Sequence, residues 1–208
     1  MVTPSTPLFL LLLLFFQHHT STTIATTAAP AVSPFPSNTS LDFILSSCNA
    51  TLYPTLCYTT LSPYASNHHL DSARLASLSI SVSLSIARSA SSFLSSLPSP
   101  ASPALHDCFS TFSEALSLIQ DSRKQMTQII ESDRYDQEAW RFSVSNVMTW
   151  MSAAMTNEDT CVDGFDDVGD GGEGEAEEDE VRGRVRVARE SASVALALVN
   201  AYAARMGF

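Results

Sequence analysis

The cysteines of this 208-residue chain are the residues whose type and spacing most directly suggest chemistry. They are Cys48, Cys57, Cys108 and Cys161. An even number of cysteines in an exported chain implies two disulfides, which can form in three pairings. No two of them stand in a Cys-x-x-Cys pair, so the spacing does not match a zinc site. We therefore predict two disulfides, no bound metal and no other cofactor.

Other candidates for catalysis are sparse. Beyond the N-terminal segment the histidines are His68, His69 and His106, and their spacing is not typical of a metal site. None of the serines stands in a Gly-x-Ser-x-Gly sequence, which presents a nucleophile on a tight turn. We predict that the protein is not an enzyme.

Acidic residues are concentrated between Asp163 and Glu180, a tract that contains ten of the 22 and no Lys or Arg. The other 12 nearly balance the 11 basic residues, so the formal net charge of −11 comes from this tract. A nucleic-acid-binding protein presents a basic surface, and this chain has no basic stripe, so we predict no nucleic-acid partner.

The acidic tract partly matches a calcium-binding EF-hand loop. The matching residues are Asp166, Asp170, Gly171 and Glu177. Val168 and Glu173, however, stand where a ligand and an apolar residue are expected. We interpret the tract as a flexible, solvated loop. A binding or structural protein that holds calcium or bridges polymers through this tract is the competing class of function.

The N-terminal segment predicts export. Residues 8–16 (LFLLLLLFF) form an apolar run too short to span a bilayer, which needs about 20 residues, and small and polar residues follow it. We predict a signal peptide and leader over 1–28 and a disordered linker over 29–39. Asn38 and Asn49 each begin an Asn-x-Ser/Thr glycosylation motif. We expect a secreted glycoprotein with no membrane segment after signal cleavage.

The elements that must position these residues are predicted to be helical. Short helices and turns are expected over 40–65, because Ser40 can cap a helix and Pro54 and Pro63 interrupt the chain. The segment 70–97 is ambiguous, since its alternating serines fit a strand while other apolar residues recur at helical spacing. A strand of this length would exceed the usual ~3–10 residues, so we predict a helix. Its predicted apolar stripe is Leu75, Leu78, Val82, Ile86, Ala90, Phe93 and Leu97.

Three further amphipathic helices are predicted. They start near Pro103, after a turn at 133–136, and near Val181. Their predicted apolar stripes are Leu105, Phe109, Phe112, Leu116, Ile119, Met126 and Ile130; Trp140, Val144, Val147, Met151 and Ala154; and Val181, Val185, Ala188, Ala192, Ala195, Val199 and Tyr202. Trp150 lies beside the second stripe and should be partly exposed. We predict an all-α, antiparallel up-and-down four-helix bundle over 40–208, with the acidic tract as a loop over 163–180.

Helix register favours one of the three disulfide pairings. Cys108 lies about 26 residues before the centre of the turn at 133–136, and Cys161 lies about 26 residues after it. Equal distances from the turn of an antiparallel hairpin bring both cysteines to the same height. This register favours Cys108–Cys161 and leaves Cys48–Cys57 to join the N-terminal helices.

Four segments resemble the plant invertase and pectin methylesterase inhibitor family. They are 42–61 (DFILSSCNATLYPTLCYTTL), 104–118 (ALHDCFSTFSEALSL), 149–165 (TWMSAAMTNEDTCVDGF) and 191–200. The likeness covers 40–208 and includes the order and neighbours of the cysteines. It implies a four-helix bundle preceded by a helical hairpin, with disulfides Cys48–Cys57 and Cys108–Cys161. It also implies a one-to-one complex that covers the active-site cleft of a target enzyme in the plant cell wall.

The resemblance also bears on the target. Members that inhibit acid invertases carry a Pro-Lys-Phe element, and the matching stretch here, 132–136, reads SDRYD. This departure favours pectin methylesterase in the apoplast, with an acid invertase as the alternative. Pro-regions of pectin methylesterase precursors are similar too, but no catalytic domain follows Phe208, so we expect an independent inhibitor.

Carried over by position, the family's enzyme contacts fall on Ser110, Glu114, Thr160 and Asp163, which we call the four predicted contact residues. Ser110 departs from the acidic residue often found at its position. Glu114 should be exposed, since it lies opposite the predicted stripe through Phe109 and Phe112. Thr160 fits nearly as well as a helix-end residue beside a disulfide.

Overall fold

The computed structural model describes residues 39–66, 70–97, 103–132, 136–165 and 175–208, and these form six α-helices. The helices are α1 (Thr39–Cys48), α2 (Pro54–Leu61), α3 (Ser72–Ser96), α4 (Pro103–Glu131), α5 (Gln137–Asp163) and α6 (Glu175–Arg205). A 3-10 turn, Ser62–Tyr64, follows α2. No helix in these ranges has the length and apolarity needed to cross a membrane. The predicted signal peptide and leader, nearly all of the predicted linker, and Asn38, His68 and His69 lie outside the described residues.

The four long helices pack as an antiparallel bundle. Helix α3 contacts α4 and α6, and α5 contacts the same two helices. Cys108 near the start of α4 is bonded to Cys161 near the end of α5. Trp140 near the start of α5 packs on Tyr202 near the end of α6. Helices α1 and α2 form an N-terminal hairpin closed by a second disulfide, so the predicted all-α architecture with two disulfides is confirmed.

Side chains and prolines define where the helices begin. Asp71 and Asp136 lie just before α3 and α5, and their carboxylates accept hydrogen bonds from the N–H groups of Arg74 at 2.8 Å and Ala139 at 3.0 Å. Such caps satisfy N–H groups that have no partner inside the helix. Pro54 is the first residue of α2, as Pro103 is of α4, where the missing N–H of proline costs nothing.

The buried face of α3 differs from the predicted stripe. Only Leu75 and Ala90 of that stripe are buried, and the others are half-buried at its edges. The residues that face the core are Ala73, Leu75, Ala76, Ser79, Ile80, Ser83, Leu84, Ala87, Ala90 and Leu94. Two apolar stripes are possible in this Ser-rich sequence, and the face with small residues is the one that allows close helix packing. The Ser79 hydroxyl donates to the Ala76 carbonyl at 2.7 Å, which makes its burial tolerable.

The predicted stripe of α4 is partly wrong. Phe112, Ile119 and Met126 are buried as predicted, but Phe109 is 44% exposed. The disulfide provides the reason, because Cys108 must face α5 and the next residue points about 100° further around the helix. The remaining stripe residues, Leu105, Leu116 and Ile130, are half-buried.

The last two helices match their predicted stripes throughout. Every stripe residue of α5 and α6 is buried, and Trp150 is partly exposed. Helix α6 begins at Glu175, six residues before its predicted start, and α5 continues to Asp163. The predicted loop over 163–180 is therefore too long at both ends. Acidic residues suit the first turns of α6, because they interact favourably with the positive end of the helix dipole.

Candidate functional site

The four predicted contact residues lie around one disulfide. Ser110 and Glu114 follow Cys108 on α4, while Thr160 and Asp163 flank Cys161 on α5, and all four are exposed. We call this part of the bundle the disulfide end. The Cα atoms of the two cysteines are 4.0 Å apart, so the two helices present these side chains from a covalently joined base.

Thr160 has a role within its own helix as well. Its hydroxyl donates to the Thr156 carbonyl at 2.9 Å. The oxygen keeps lone pairs that a partner could use, because a hydroxyl accepts as well as donates. The geometry therefore fits both readings of Thr160, as a helix residue and as a contact.

Phe109 adds an apolar group beside Ser110. Both side chains are exposed, as are those of Ser113 and Glu114 one turn later on α4. Residues three and four apart share a helix face, so these side chains form one continuous exposed patch. An aromatic ring among polar groups is the kind of composition found in protein–protein interfaces.

A polar cluster that the sequence analysis missed joins three elements at the disulfide end. The Arg189 guanidinium on α6 donates through Nε to Asp159 of α5 at 2.9 Å and through Nη1 to the Tyr53 hydroxyl at 3.1 Å. The hydrogen bond to Asp159 is the largest cause that raises the pKa of Arg189 above its ordinary value. We call these three residues the Arg189 cluster. Asp159 and Tyr53 lie 30 and 136 positions from Arg189 in the sequence, so no local sequence pattern pairs them with it.

The Arg189 cluster lines a groove of about 250 Å3 that also includes Asp163. Arg186 and Glu190 contribute further charges from α6. One of the predicted contact residues thus shares a groove with a mixed set of acidic and basic side chains. A groove of this kind can hydrogen-bond both donors and acceptors of a partner protein.

Glu158 is a fully buried carboxyl group beside this groove. It is 0% exposed, and neither side-chain oxygen has a hydrogen-bond partner among the described residues. Burial raises its pKa to about 8, the neighbouring Asp159 raises it as well, and Arg189 opposes the shift. The side chain is therefore mainly protonated at acidic and neutral pH. Sequence reasoning did not identify it, since a Glu in a polar Thr-Asn-Glu-Asp-Thr run resembles a surface residue.

The described residues offer little catalytic or metal chemistry. Within them no group of three His, Cys, Asp or Glu side chains could hold a metal ion. All four cysteines are in disulfides, and His106 is exposed with its Nδ1 3.3 Å from Asp107. Asp166, Asp170 and Gly171 of the EF-hand-like match lie outside the described residues, and Glu177 is in α6.

Comparison with known proteins gives a consistent set of relatives. A family model described as plant invertase/pectin methylesterase inhibitor matches residues 42–198. Pectinesterase inhibitor 10 of Arabidopsis thaliana is 37% identical, over 82% of this chain and 54% of that protein. The 21 kDa protein of Daucus carota is 36% identical, over 84% of this chain and 89% of that protein. The chain thus spans about half the length of the first relative and most of the second.

A solved structure shares the fold. A mutant form of a pectin methylesterase inhibitor from Arabidopsis matches with a TM-score of 0.55, over 74% of this chain and 92% of that chain. The two sequences are 15% identical, so this likeness concerns the fold alone.

Proposed function

The chain belongs to the plant invertase/pectin methylesterase inhibitor family, and we propose that it inhibits pectin methylesterase. The observation that carries the proposal is its 37% identity, over 82% of its length, to a protein named as a pectinesterase inhibitor. The exposed, mainly polar surface at the disulfide end supports it, because an inhibitor needs an accessible surface complementary to the enzyme.

The proposed mode of inhibition is a one-to-one complex that covers the active-site cleft. Such a complex works by shape and polar complementarity, so the inhibitor needs no catalytic group of its own. Helices that are already packed and bridged lose little conformational entropy when they dock, which favours affinity. The Cys108–Cys161 bond joins the two helices that would face the enzyme.

The proposed contacts are the four predicted contact residues. Glu114 and Asp163 would accept charge-assisted hydrogen bonds, which are shorter and stronger than those between neutral groups. Ser110 and Thr160 would contribute neutral hydrogen bonds at the same end of the bundle. Their exposure at one end of two antiparallel helices supports a common role.

An acid invertase is the second candidate target, because the description of the matching family names both enzymes. Family members that inhibit invertases carry a Pro-Lys-Phe element. This chain lacks that element, and its residues 132–136 read SDRYD instead. We therefore rank pectin methylesterase first.

We propose that the protein acts outside the cell, in the apoplast and cell wall, where pectin methylesterase meets its substrate. The predicted signal peptide over 1–28 and the two disulfides support this location, because disulfides persist in oxidising compartments.

The decisive experiment titrates a plant pectin methylesterase and, separately, an acid invertase with the purified protein. We expect esterase activity to fall to near zero at a molar ratio close to one, with no loss of invertase activity. Full activity of several plant esterases in the presence of excess protein would contradict the proposal. Loss of invertase activity alone would support the second candidate.

Variants then test the surface. Glu114→Gln and Asp163→Asn should each raise the inhibition constant about tenfold, because hydrogen bonds to charged groups contribute about 1.5–3 kcal/mol. Glu138→Gln is the matched control, since Glu138 is exposed on α5 but lies about 33 Å from Thr160 along the helix. An equal effect of all three substitutions would place the interface elsewhere.

A further inference from the structure

The glycosylation motif at Asn49 lies in the turn between α1 and α2, inside the loop that the Cys48–Cys57 disulfide closes. Asn49 is exposed, so the folded hairpin can accommodate a glycan on its side chain. Thr51, the third residue of the motif, is only 9% exposed. Its hydroxyl donates to the Cys48 carbonyl at 2.8 Å.

The backbone of the motif is also engaged. The three consecutive N–H groups of the motif donate to the carbonyls of Leu45, Ser47 and Cys48 at 3.0, 3.3 and 2.9 Å. These bonds continue the last turn of α1, so the motif is coiled rather than extended. The folded hairpin thus leaves the Asn49 amide exposed but buries the Thr51 hydroxyl.

Glycan transfer needs both groups. The amide nitrogen of Asn49 would form a bond to C1 of the first sugar of a lipid-linked oligosaccharide, while the bond from that carbon to the lipid diphosphate breaks. The lipid diphosphate leaves, and the amide loses one proton. The transferase also reads the hydroxyl two residues on, which is why the motif requires Ser or Thr there. The transferase cannot bind the Thr51 hydroxyl while that hydroxyl is buried and hydrogen-bonded within the turn.

We propose that closure of the Cys48–Cys57 disulfide and glycosylation of Asn49 compete during folding, so that Asn49 is modified only while the bridge is open. Closure oxidises the two thiols, and their two electrons and two protons pass to a disulfide oxidant of the secretory compartment. The closed bridge holds the two Cα atoms 5.4 Å apart, with Ile44 and Leu61 fully buried in the core. That packing holds the coiled turn in place.

The test expresses the full chain in plant secretory cells in an Asn38→Gln background, which leaves Asn49 as its single Asn-x-Ser/Thr motif. The readout is the fraction of chains in a slower band that peptide-N-glycosidase removes. With the bridge intact we expect this to be the minor band, and with Cys48→Ser and Cys57→Ser together we expect it to become the major band. An unchanged fraction, including zero in both, would overturn the proposal.

A matched control separates the local bridge from general instability. Cys108→Ser and Cys161→Ser together remove the other disulfide and leave the hairpin bridge free to close. We expect the glycosylated fraction to stay near that of the parent chain. An equal rise in this variant would overturn the proposal, because loss of stability anywhere would then expose the motif. Asn49→Gln should remove the slower band entirely.

Discussion

The two ends of the bundle are stabilised in different ways. At one end, which we call the aromatic end, Trp140 donates through Nε1 to the Tyr202 hydroxyl at 2.9 Å. Its ring packs edge-on against Tyr202 and Phe208, with ring centroids 6.0 and 6.1 Å apart. Arg141 donates to the Gly207 carbonyl at 2.5 Å and ties down the end of the chain. The polar groups in these contacts are satisfied within the protein.

The disulfide end lies about 30 Å away along α5. A covalent bond joins its helices, and its polar groups are less completely satisfied internally. Glu158 is buried without a hydrogen-bond partner among the described residues, and the predicted contact residues face solvent.

This difference shows how a small bundle can be rigid and still offer polar groups to a partner. Side chains that form aromatic contacts and buried hydrogen bonds, as at the aromatic end, are not available to bind a partner. A disulfide holds two helices together without using any charged side chain. The end that the covalent bond secures can therefore expose the carboxylates of Glu114 and Asp163, two of the proposed contacts.

The largest expected effect is loss of the Cys108–Cys161 bond. The Cys108→Ser, Cys161→Ser double variant should lose about 4 kcal/mol of unfolding free energy, because the bond closes a loop of 53 residues. Urea denaturation measures this loss. The control removes Cys48–Cys57, whose loop of nine residues predicts a smaller loss of about 2–3 kcal/mol. A larger loss for the hairpin bridge would show that the bundle does not depend on its disulfide end.

The next effect is a pH dependence that originates at Glu158. Its pKa rises from 4.5 to about 8 on folding because of burial, so between these values the folded protein binds more protons than the unfolded chain. The contribution to stability is therefore fully present below about pH 4.5 and falls by on the order of 3 kcal/mol as pH rises from about 5 to 8.

Urea denaturation across that pH range measures the effect, and Glu158→Gln should flatten the profile. Glu114→Gln removes an exposed carboxylate and serves as the control, which should leave the profile unchanged. A wild-type profile that rises with pH would contradict the assignment, since the sign follows from proton binding in the folded state.

A smaller effect is expected at the aromatic end. Tyr202→Phe removes the acceptor of the Trp140 Nε1 hydrogen bond in a buried site and should cost about 1–2 kcal/mol. Thermal or urea unfolding measures it. Tyr64→Phe is the matched control, because Tyr64 is exposed in the 3-10 turn and should change stability little. Equal stability of the two variants would mean that packing alone secures this end.

The smallest effect concerns the Arg189 cluster. Arg189→Gln should cost less than about 1 kcal/mol, because the Asp159–Arg189 pair is partly exposed and solvent screens it. Lys124→Gln breaks the exposed pair with Asp121, within one helix, and should cost still less. A loss of several kcal/mol at Arg189 in urea denaturation would show that the charged groups at the disulfide end are structural.

Periodicity predicted the fold because burial in a bundle follows helical geometry. The stripes of α5 and α6 read directly from the sequence, since each helix has a single apolar face. The spacing of Cys108 and Cys161 from the intervening turn favoured their pairing for the same reason. On the Ser-rich α3 two apolar faces were possible, and periodicity predicted the wrong one as the buried face.

The sequence by itself determined the helices, the bundle and the disulfide register, because these depend on spacings within one helix or one hairpin. Only the tertiary structure decided the Arg189 cluster, the burial of Glu158 and the exposure of Phe109. These features depend on which helices meet and at what height, so they join residues as far apart as Tyr53 and Arg189. Interactions over such separations leave no periodic signal, and packing alone brings the groups together.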